Sequence, residues 1–505
     1  MVVALVGVLA FAVRLWSVLH NGGLSAVLGY DEGVYFGASA GLVHGLVPYR
    51  DFVLVHPPGS LLLLSPFAEL ARVVGDPTAW AGARLFVMLV GSANAMMVTV
   101  VGRRAGRWAG VIGGVLYAVW LPAVYVERTT MLEAFVLCGL LAALTLLRSP
   151  RESTTRLVLA GAALGAASCV KVWGVVPLLV ILGWLLVSRA WRSAAVLSAG
   201  AAIVAVVVLA PFAALARGRM VDLIVFAQLG RGSGGTELVG RMPRILGLSD
   251  VAPGTGGSGS LPLTVVLLGV VLAMMLLAWR LGPARLWVVL LAVQLGVLLA
   301  VPVFFAGYSS FVAPALLLVV GAAAQVVQQA VAGRAGSRVA GGVVAVAGTA
   351  VVLAAGAYAL TYVKKDFTAA AEVTPRLQGF HCVASDSPGV LISTDVLTRD
   401  LDRGCRMVFD VDGSVYAVSD GANPDRLTAG QRRRGSAQYQ AVLADYFDSA
   451  DGLVMHRLGA DSLYPEVLRE IGARPLVWSG GSTSVRGPAP DAAKTAPSSP
   501  GVQHP

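Results

Sequence analysis

Long apolar runs alternate with short polar breaks from the first residue to about residue 362, after which the pattern changes. A membrane span needs ~20 apolar residues, and eleven runs qualify: about 2–19, 80–101, 109–126, 131–147, 157–171, 172–187, 193–215, 261–279, 286–304, 309–331 and 339–362. The break SCVKVWG between the fifth and sixth reads as a bend within the membrane. The run 59–74, GSLLLLSPFAELARVV, is apolar enough to count as a span, yet counting it would reverse the side of every later loop. It reads instead as a helix lying in the interface, with 33–44 as its companion and PYRDF, 48–52, as the turn between them. Beyond residue 365, short apolar runs (HCVAS, RMVFDV, GLVMHR, PLVWS) alternate with helical stretches near 387–401, 436–450 and 462–471. That alternation predicts a small α/β domain over 366–480 with a partly parallel sheet. The Pro-, Ser- and Ala-rich tail, 481–505, has a disordered composition.

Composition fits this pattern. Of 505 residues 56% are hydrophobic and 13% charged, and a mean hydropathy of +0.76 leaves a soluble fold too little polar surface. The fold class is an α-helical polytopic membrane protein carrying a small C-terminal α/β domain. The net charge of +10 could suit nucleic acid, but the arginines sit in short loops between spans, so no nucleic-acid partner is implied. GRRAGR (102–107), RSPRESTTR (148–156), SRAWR (188–192), WRLGPAR (279–285) and GRAGSR (333–338) occupy alternate loops. The positive-inside rule makes these the cytoplasmic loops. The N-terminus is then cytoplasmic, and residues 20–79, the 127–133 turn, Lys171, residues 216–260, Tyr308 and everything after 362 lie outside. Without a basic leader or small-residue cleavage site, the first run reads as a retained span. Cys138 and Cys169 pack in apolar runs, whereas Cys382 and Cys405 lie in the outer domain, where a disulfide can form. No spacing resembles a zinc site.

The acidic clusters fall on the outer face. Asp31 and Glu32 close the first span, and the ordinary reading is a pair of solvated carboxylates at a helix end. Against it, the loop that follows is long and aromatic, ends at Pro57-Pro58-Gly59, and is matched by further acid in ERTTMLE, with Glu127, Arg128 and Glu133. Carboxylates gathered at one depth of an apolar protein mark function. Arg128 can neutralise a neighbouring glutamate, and Glu133 opens the fourth span towards the cavity that Asp31 would face. Lys171 is the only lysine before the Lys364–Lys365 pair; it either snorkels to the interface or meets an anion. With Arg231, Arg241 and Arg244 of the outer loop it supplies the cations a phosphate needs. The glycines of that loop and of GTGGSGS (254–260) suit a segment that orders over a ligand, and equally a plain linker. Acids and cations together at the lipid surface point to a reaction on a phosphate-headed lipid. A carboxylate takes a proton from an acceptor hydroxyl while cations stabilise a departing phosphate. No P-loop, dinucleotide fingerprint, nucleophile elbow or HExxH motif is present.

An acidic pair after the first helix, an amphipathic loop ending in VHPPG, an acid opening the fourth helix in MLEAF and a lone lysine in VKVWG together resemble the C-type (GT-C) glycosyltransferases. The nearest groups are the protein O-mannosyltransferases and aminoarabinose transferases, family-39-like enzymes of the actinobacterial envelope type. The resemblance covers roughly residues 1–360. It implies transfer of a sugar, usually with inversion, from a polyprenyl-phosphate donor to an envelope glycan, lipid or protein outside the plasma membrane. Under it, Asp31 is the catalytic base, Glu32 its neighbour and Glu133 the second acid. His56 stands where relatives carry lysine before Pro-Pro, which replaces a fixed charge by a titratable one. FFAGYSSFVAP (304–314) resembles a late outer turn that brings Tyr308 to the site. A divalent metal is compatible with this chemistry, although no ligand set demands one. The α/β domain differs from the carbohydrate-binding β-sandwich of arabinosyltransferases. Two rival readings remain: a transporter or flippase, which would show inverted repeats and charges at mid-membrane, and a non-catalytic envelope scaffold.

Overall fold

A computed structural model describes residues 1–489 apart from 217, 233, 236, 249–260, 336, 363–366, 368 and 419–426. GTGGSGS and the tail from 490 therefore lie outside the described residues. The apolar runs form helices in chain order. They are α1 (Val2–His20), α4 (Asp76–Gly102), α5 (Arg107–Val119), α6 (Leu121–Glu127), α7 (Glu133–Leu146), α8 (Thr154–Val170), α9 (Val175–Val187), α10 (Trp191–Ala216), α14 (Leu261–Trp279), α15 (Arg285–Ala300), α16 (Ala313–Ala335) and α17 (Ser337–Thr361). Among the described residues six helices are long and apolar enough to cross a membrane, α5 and α6 are so only as a pair bent by 56°, and four shorter apolar helices cover the remaining expected stretches. The chain is a multi-pass membrane protein. Its outward residues are apolar along α10 (Ile203, Val206, Val207) and α14 (Val265, Val266, Leu272), as a lipid-facing surface requires.

Two interruptions shape the site. The expected span 109–126 breaks at Trp120, whose backbone is extended, because Pro122 has no N–H to continue the ladder and instead sits in the first turn of α6. The bend expected in SCVKVWG is present: Lys171 leaves α8 in an extended conformation and a 3₁₀ turn, Val172–Gly174, leads into α9. Between α1 and α4 lie α2 (Tyr30–Val43) and α3 (Gly59–Val74), the two helices expected in the interface, joined by a turn in which Pro48 and Phe52 bridge. Leu62, Leu63, Leu70 and Val73 of α3 are exposed, an apolar face suited to lipid. The loop after α10 holds α11 (Arg219–Val221), a π-helical turn, α12 (Ala227–Leu229) and α13 (Leu238–Ile245). Its two-residue strand β1 (Gly234–Gly235) pairs in parallel with β2 (Val303–Phe304).

The C-terminal domain contains α18 (Ala370–Leu377), β3 (Val383–Ser385), α19 (Pro388–Ser393), α20 (Leu397–Asp402), α21 (Ser414–Val418), α22 (Ala429–Gly435), α23 (Ala437–Asp448), β4 (Gly452–Met455), α24 (Pro465–Ala473), β5 (Leu476–Gly480) and β6 (Thr483–Arg486). The sheet order is β3-β4-β6-β5. Only β3 and β4 are parallel; β6 runs antiparallel to both its neighbours. Two expectations are corrected here. The domain does not end at 480, because residues 483–486 return as a β-strand that fills the sheet between β4 and β5. RMVFDV is not a strand: Phe409 leaves the sheet and packs edge-on against Phe52 at 4.9 Å, so that 409–413 becomes a loop facing α2. Tertiary burial of one aromatic overrides the local β pattern. Cys382 and Cys405 are joined by a disulfide that ties the start of β3 to the loop after α20.

One buried apolar cluster unites α2, α3 and α4 with Val383, Leu391 and Phe409 of the domain, so the domain rests on these helices. The contact depends on small residues. A Cβ on Gly33 of α2 would lie 2.5 Å from the Gly389 backbone nitrogen, and one on Gly41 would lie 2.6 Å from the Phe409 ring. A backbone neighbour cannot rotate away, so Gly33→Ala is expected to separate the domain from α2. Limited proteolysis should then cut near 363–370 faster than in wild type; an unchanged pattern would refute this account of the dock.

Candidate active site

The site begins at the N-terminus of α2. Gly29 is extended, and the Glu32 side chain accepts hydrogen bonds from the N–H groups of Leu28 (2.8 Å) and Gly29 (3.1 Å), closing the first turn. The other Glu32 oxygen pairs with Arg84 of α4 at 2.8 Å. Arg84 in turn donates to the carbonyls of Leu24 and Ala26 and lies 3.9 Å over the Trp80 ring. Both charges are fully buried. Glu32 is thus engaged in holding the turn, and the turn presents its neighbour.

Asp31 is that neighbour. Its side chain is exposed, and among the described residues nothing hydrogen-bonds its carboxylate. It stands in a recess where surrounding protein displaces screening water. This desolvation, and then the Glu133 charge, raise its pKa, while Lys171 and Arg231 draw it back. The helix N-terminus beneath it favours a negative charge.

Across the recess Lys171 Nζ donates to Glu133 Oε1 at 2.6 Å, and the second Glu133 oxygen is buried without a partner among the described residues. Burial lowers the Lys171 pKa, but Glu133, Tyr308 and Asp31 outweigh it and the net shift is upward, so the ammonium stays charged. Its nitrogen lies 4.8 Å from the Tyr308 ring and 5.3 Å from that of Trp173. Tyr308 sits on a 3₁₀ turn, Ala306–Val312, and its hydroxyl accepts from Arg231 Nη1 at 3.3 Å. Arg231 Nε is buried and unpartnered among the described residues. Asp31, Glu133, Lys171, Arg231 and Tyr308 are therefore one electrostatic group.

The other candidates are placed differently. His56 packs edge-on against Tyr35 at 5.6 Å, and burial followed by the Lys171 and Arg231 charges hold its pKa well below the usual histidine value. Both causes disfavour the charged form of the His56 ring. Arg241 donates to the carbonyls of Leu298, Leu299 and Val301, capping the end of α15. Arg244 lines a separate water-sized cavity with Tyr125, Ser309 and Tyr362. Glu127 is buried in a different cluster with Arg14 (Nε 3.0 Å), Asn94 (2.6 Å) and Tyr117 (2.8 Å), stapling α1, α4 and α5. Among the described residues Arg128 forms no ion pair with a glutamate: it donates to Ser17 at 2.7 Å and lies between the Tyr125 and Tyr362 rings. Glu127 found its counter-charge in α1 because helix packing, not sequence proximity, decides which cation a buried carboxylate meets. Asp51 is tied to Arg50. Among the described residues no group of three or more His, Cys, Asp or Glu is arranged to hold a metal ion.

The sequence pointed to no role for the wall that the C-terminal domain supplies. The Tyr30 hydroxyl, one residue before Asp31, donates to Asp410 Oδ1 at 3.2 Å and accepts from the Asp412 N–H at 3.0 Å. The Arg457 guanidinium lies 3.8 Å over the Tyr30 ring and pairs with Asp412 at 2.9 Å, while Arg433 pairs with the same carboxylate at 2.7 Å. Tyr416 lies between Arg231 and Arg432. Arg14 and Arg84 were legible only as arginines inside apolar runs, a signal that intramembrane charges are functional or paired. Asp410 and Asp412 carried no signal, because the loop that carries them is placed by a contact distant in sequence, that of Phe409 with Phe52.

Burial pushes the Asp410 pKa up to about 7 from 3.8. Between those two values the folded protein holds a proton that the unfolded chain has released, so stability falls as pH rises through the window. The thermal midpoint of the wild type is therefore expected to fall from about pH 4 to about pH 7 more than that of Asp410→Asn. Parallel pH profiles for the two proteins would overturn the assignment.

A model of glycosyltransferase family 87 matches residues 54–303, just under half of the chain. The structure of ArnT from Cupriavidus metallidurans in the apo state resembles the whole fold, with a TM-score of 0.59 and 18% identity over 98% of this chain and 99% of that one. The same enzyme bound to undecaprenyl phosphate gives 0.51 and 17% over 96% and 97%. The Archaeoglobus fulgidus oligosaccharyltransferase AglB, in complex with an inhibitory peptide and a dolichol-phosphate, gives 0.56 and 12% over 90% and 69%. The chain has the fold of the GT-C glycosyltransferases. A comparison with curated proteins gives no match. The family-87 match begins at Leu54, after the acidic pair, and ends at Val303, before Tyr308 and the C-terminal domain. Asp31 and Tyr308 therefore lie outside the matched region, whereas Glu133, Lys171 and Arg231 lie within it.

Proposed function

We propose that the enzyme transfers a sugar from a polyprenyl-phosphate donor to a hydroxyl-bearing envelope acceptor on the extracytoplasmic side of the plasma membrane. The observation that carries this reading is the Asp31 carboxylate, without a hydrogen-bond partner among the described residues, set against Lys171, Glu133, Arg231 and Tyr308. The bound undecaprenyl phosphate of ArnT and dolichol-phosphate of AglB support the donor class. The alternate basic loops support the orientation, with the N-terminus cytoplasmic and the acidic site outside.

In the proposed step the acceptor oxygen attacks the anomeric carbon from the face opposite the phosphate. Asp31 receives the acceptor proton as the new C–O bond forms. The bond from the anomeric carbon to the phosphate oxygen breaks, and its electron pair leaves on the polyprenyl phosphate. That leaving group gains negative charge, which Lys171 and Arg231 stabilise. Glu133 orients Lys171 through one oxygen and offers the other to a sugar hydroxyl. A divalent ion remains compatible with the exposed carboxylate, and no step requires it. Purified enzyme in vesicles should release polyprenyl phosphate from one member of a panel of polyprenyl-phosphate sugars when a suitable acceptor glycan is present. Release from nucleotide sugars instead would refute the donor class.

A further inference from the structure

A second built cavity lies at the opposite end of α7. Glu133 opens this 14-residue helix and Leu146 closes it, about 21 Å away at 1.5 Å per residue. Beyond Leu146 a cavity of about 580 Å³ is lined by Arg104, Arg148, Trp184 and Trp287, with Val100, Ile181 and Leu185 among its apolar walls. That volume lies within the ~300–1,000 Å³ of small-molecule sites. Its rim is made by three of the basic loops, GRRAGR, RSPRESTTR and WRLGPAR.

The charge balance of this cavity is one-sided. The end of α7 would present negative carbonyl oxygens, but Arg104 donates to the carbonyls of Leu144, Thr145 and Leu147, each at 2.7 Å, and cancels them. The nearby acid, Glu152, is already used by Arg156 at 3.0 Å and by the N–H groups of Arg148 and Ser149. The Arg148 side chain is exposed and, among the described residues, its guanidinium has no partner. The helix running Gly282–Ala300 begins at the cavity, with Gly282 and Pro283 in its wall, and adds the positive end of its dipole. A free guanidinium and a helix N-terminus thus face an apolar slot flanked by two tryptophans, the residue type that settles at membrane interfaces.

We propose that this cavity binds the phosphate headgroup of an anionic phospholipid in the leaflet on the basic side, with the acyl chains along the apolar wall. Arg148 supplies the free charge and Arg104 keeps the slot's floor neutral. The site is separate from the acidic recess, so it stands or falls independently of the transfer reaction.

The test uses the intact protein in vesicles containing either brominated phosphatidylglycerol or brominated phosphatidylcholine at equal mole fraction. Bromine quenches only tryptophans that it touches, and subtracting the signal of Trp184→Phe isolates the cavity. Phosphatidylglycerol should quench the cavity signal more, and Arg148→Ala should weaken that preference about five-fold. Arg148 is an exposed loop residue, so its variant retains the fold, which circular dichroism would verify. Equal quenching by the two lipids, or a preference unchanged in Arg148→Ala, would overturn the proposal. Loss of the preference in millimolar inorganic phosphate would also overturn it, by assigning the cavity to a soluble anion.

Discussion

Replacing Asp31 by asparagine is expected to lower transfer about 10²- to 10⁴-fold, the range that a positioned general base contributes, while leaving the protein folded. The second half follows from geometry. The Asp31 side chain is exposed and, among the described residues, carries no hydrogen bond, so asparagine fits the first turn of α2 without breaking a contact. The first half follows from electrostatics. Desolvation and Glu133 raise the Asp31 pKa, which makes it a better proton acceptor than an ordinary surface carboxylate. Wild-type activity should fall on the acid side as Asp31 protonates, at a pH above that of an unperturbed aspartate, and the residual activity of Asp31→Asn should lose this limb. Initial rates of polyprenyl-phosphate release, read beside a thermal melt in detergent, check both halves. Full activity in a folded Asp31→Asn protein would remove the residue from the chemistry and favour a flippase or a scaffold.

Arg84→Ala is expected to act on stability first and on activity as a consequence. The substitution leaves Glu32 fully buried without its cation, and breaking one side of a buried pair costs about 3–5 kcal/mol. Arg84 also closes the chain between α1 and α2 by holding the carbonyls of Leu24 and Ala26. Its loss frees the turn that aims Asp31. The double variant Arg84→Met with Glu32→Leu removes both charges and should recover most of the melting temperature, since a well-packed apolar pair can replace a buried ion pair. It should not recover full activity, because the N–H groups of Leu28 and Gly29 lose their acceptor. A single Arg84→Ala variant that melts with the wild type would refute the pairing.

Much of the architecture was legible because lipid imposes a one-dimensional code. Hydrocarbon thickness fixes span length, and an unsatisfied backbone cannot cross it, so the apolar runs alone located the membrane helices. The reading of α2 and α3 as interfacial helices followed from keeping the basic loops on one side. Within the site, Asp31, Glu133, Lys171, Arg231 and Tyr308 were identifiable as charge or aromatic residues at one depth. Other positions looked equivalent in sequence and are not. Glu127 and Arg128 lie side by side yet face different partners, Arg241 caps a helix, and burial, more than the nearby cations, lowers the pKa of His56.

What the sequence determined by itself is the set of membrane helices, their alternating basic loops and the acidic level at one face, because hydrophobicity and charge act on each segment separately. What only the tertiary structure decided is the pairing: Arg84 with Glu32, Arg14 with Glu127, Lys171 with Glu133, and the Asp410–Asp412 loop against Tyr30. Those contacts join residues tens to hundreds of positions apart. A buried charge takes whichever opposite charge the packing brings within reach, and in a helical bundle that is set by which faces meet.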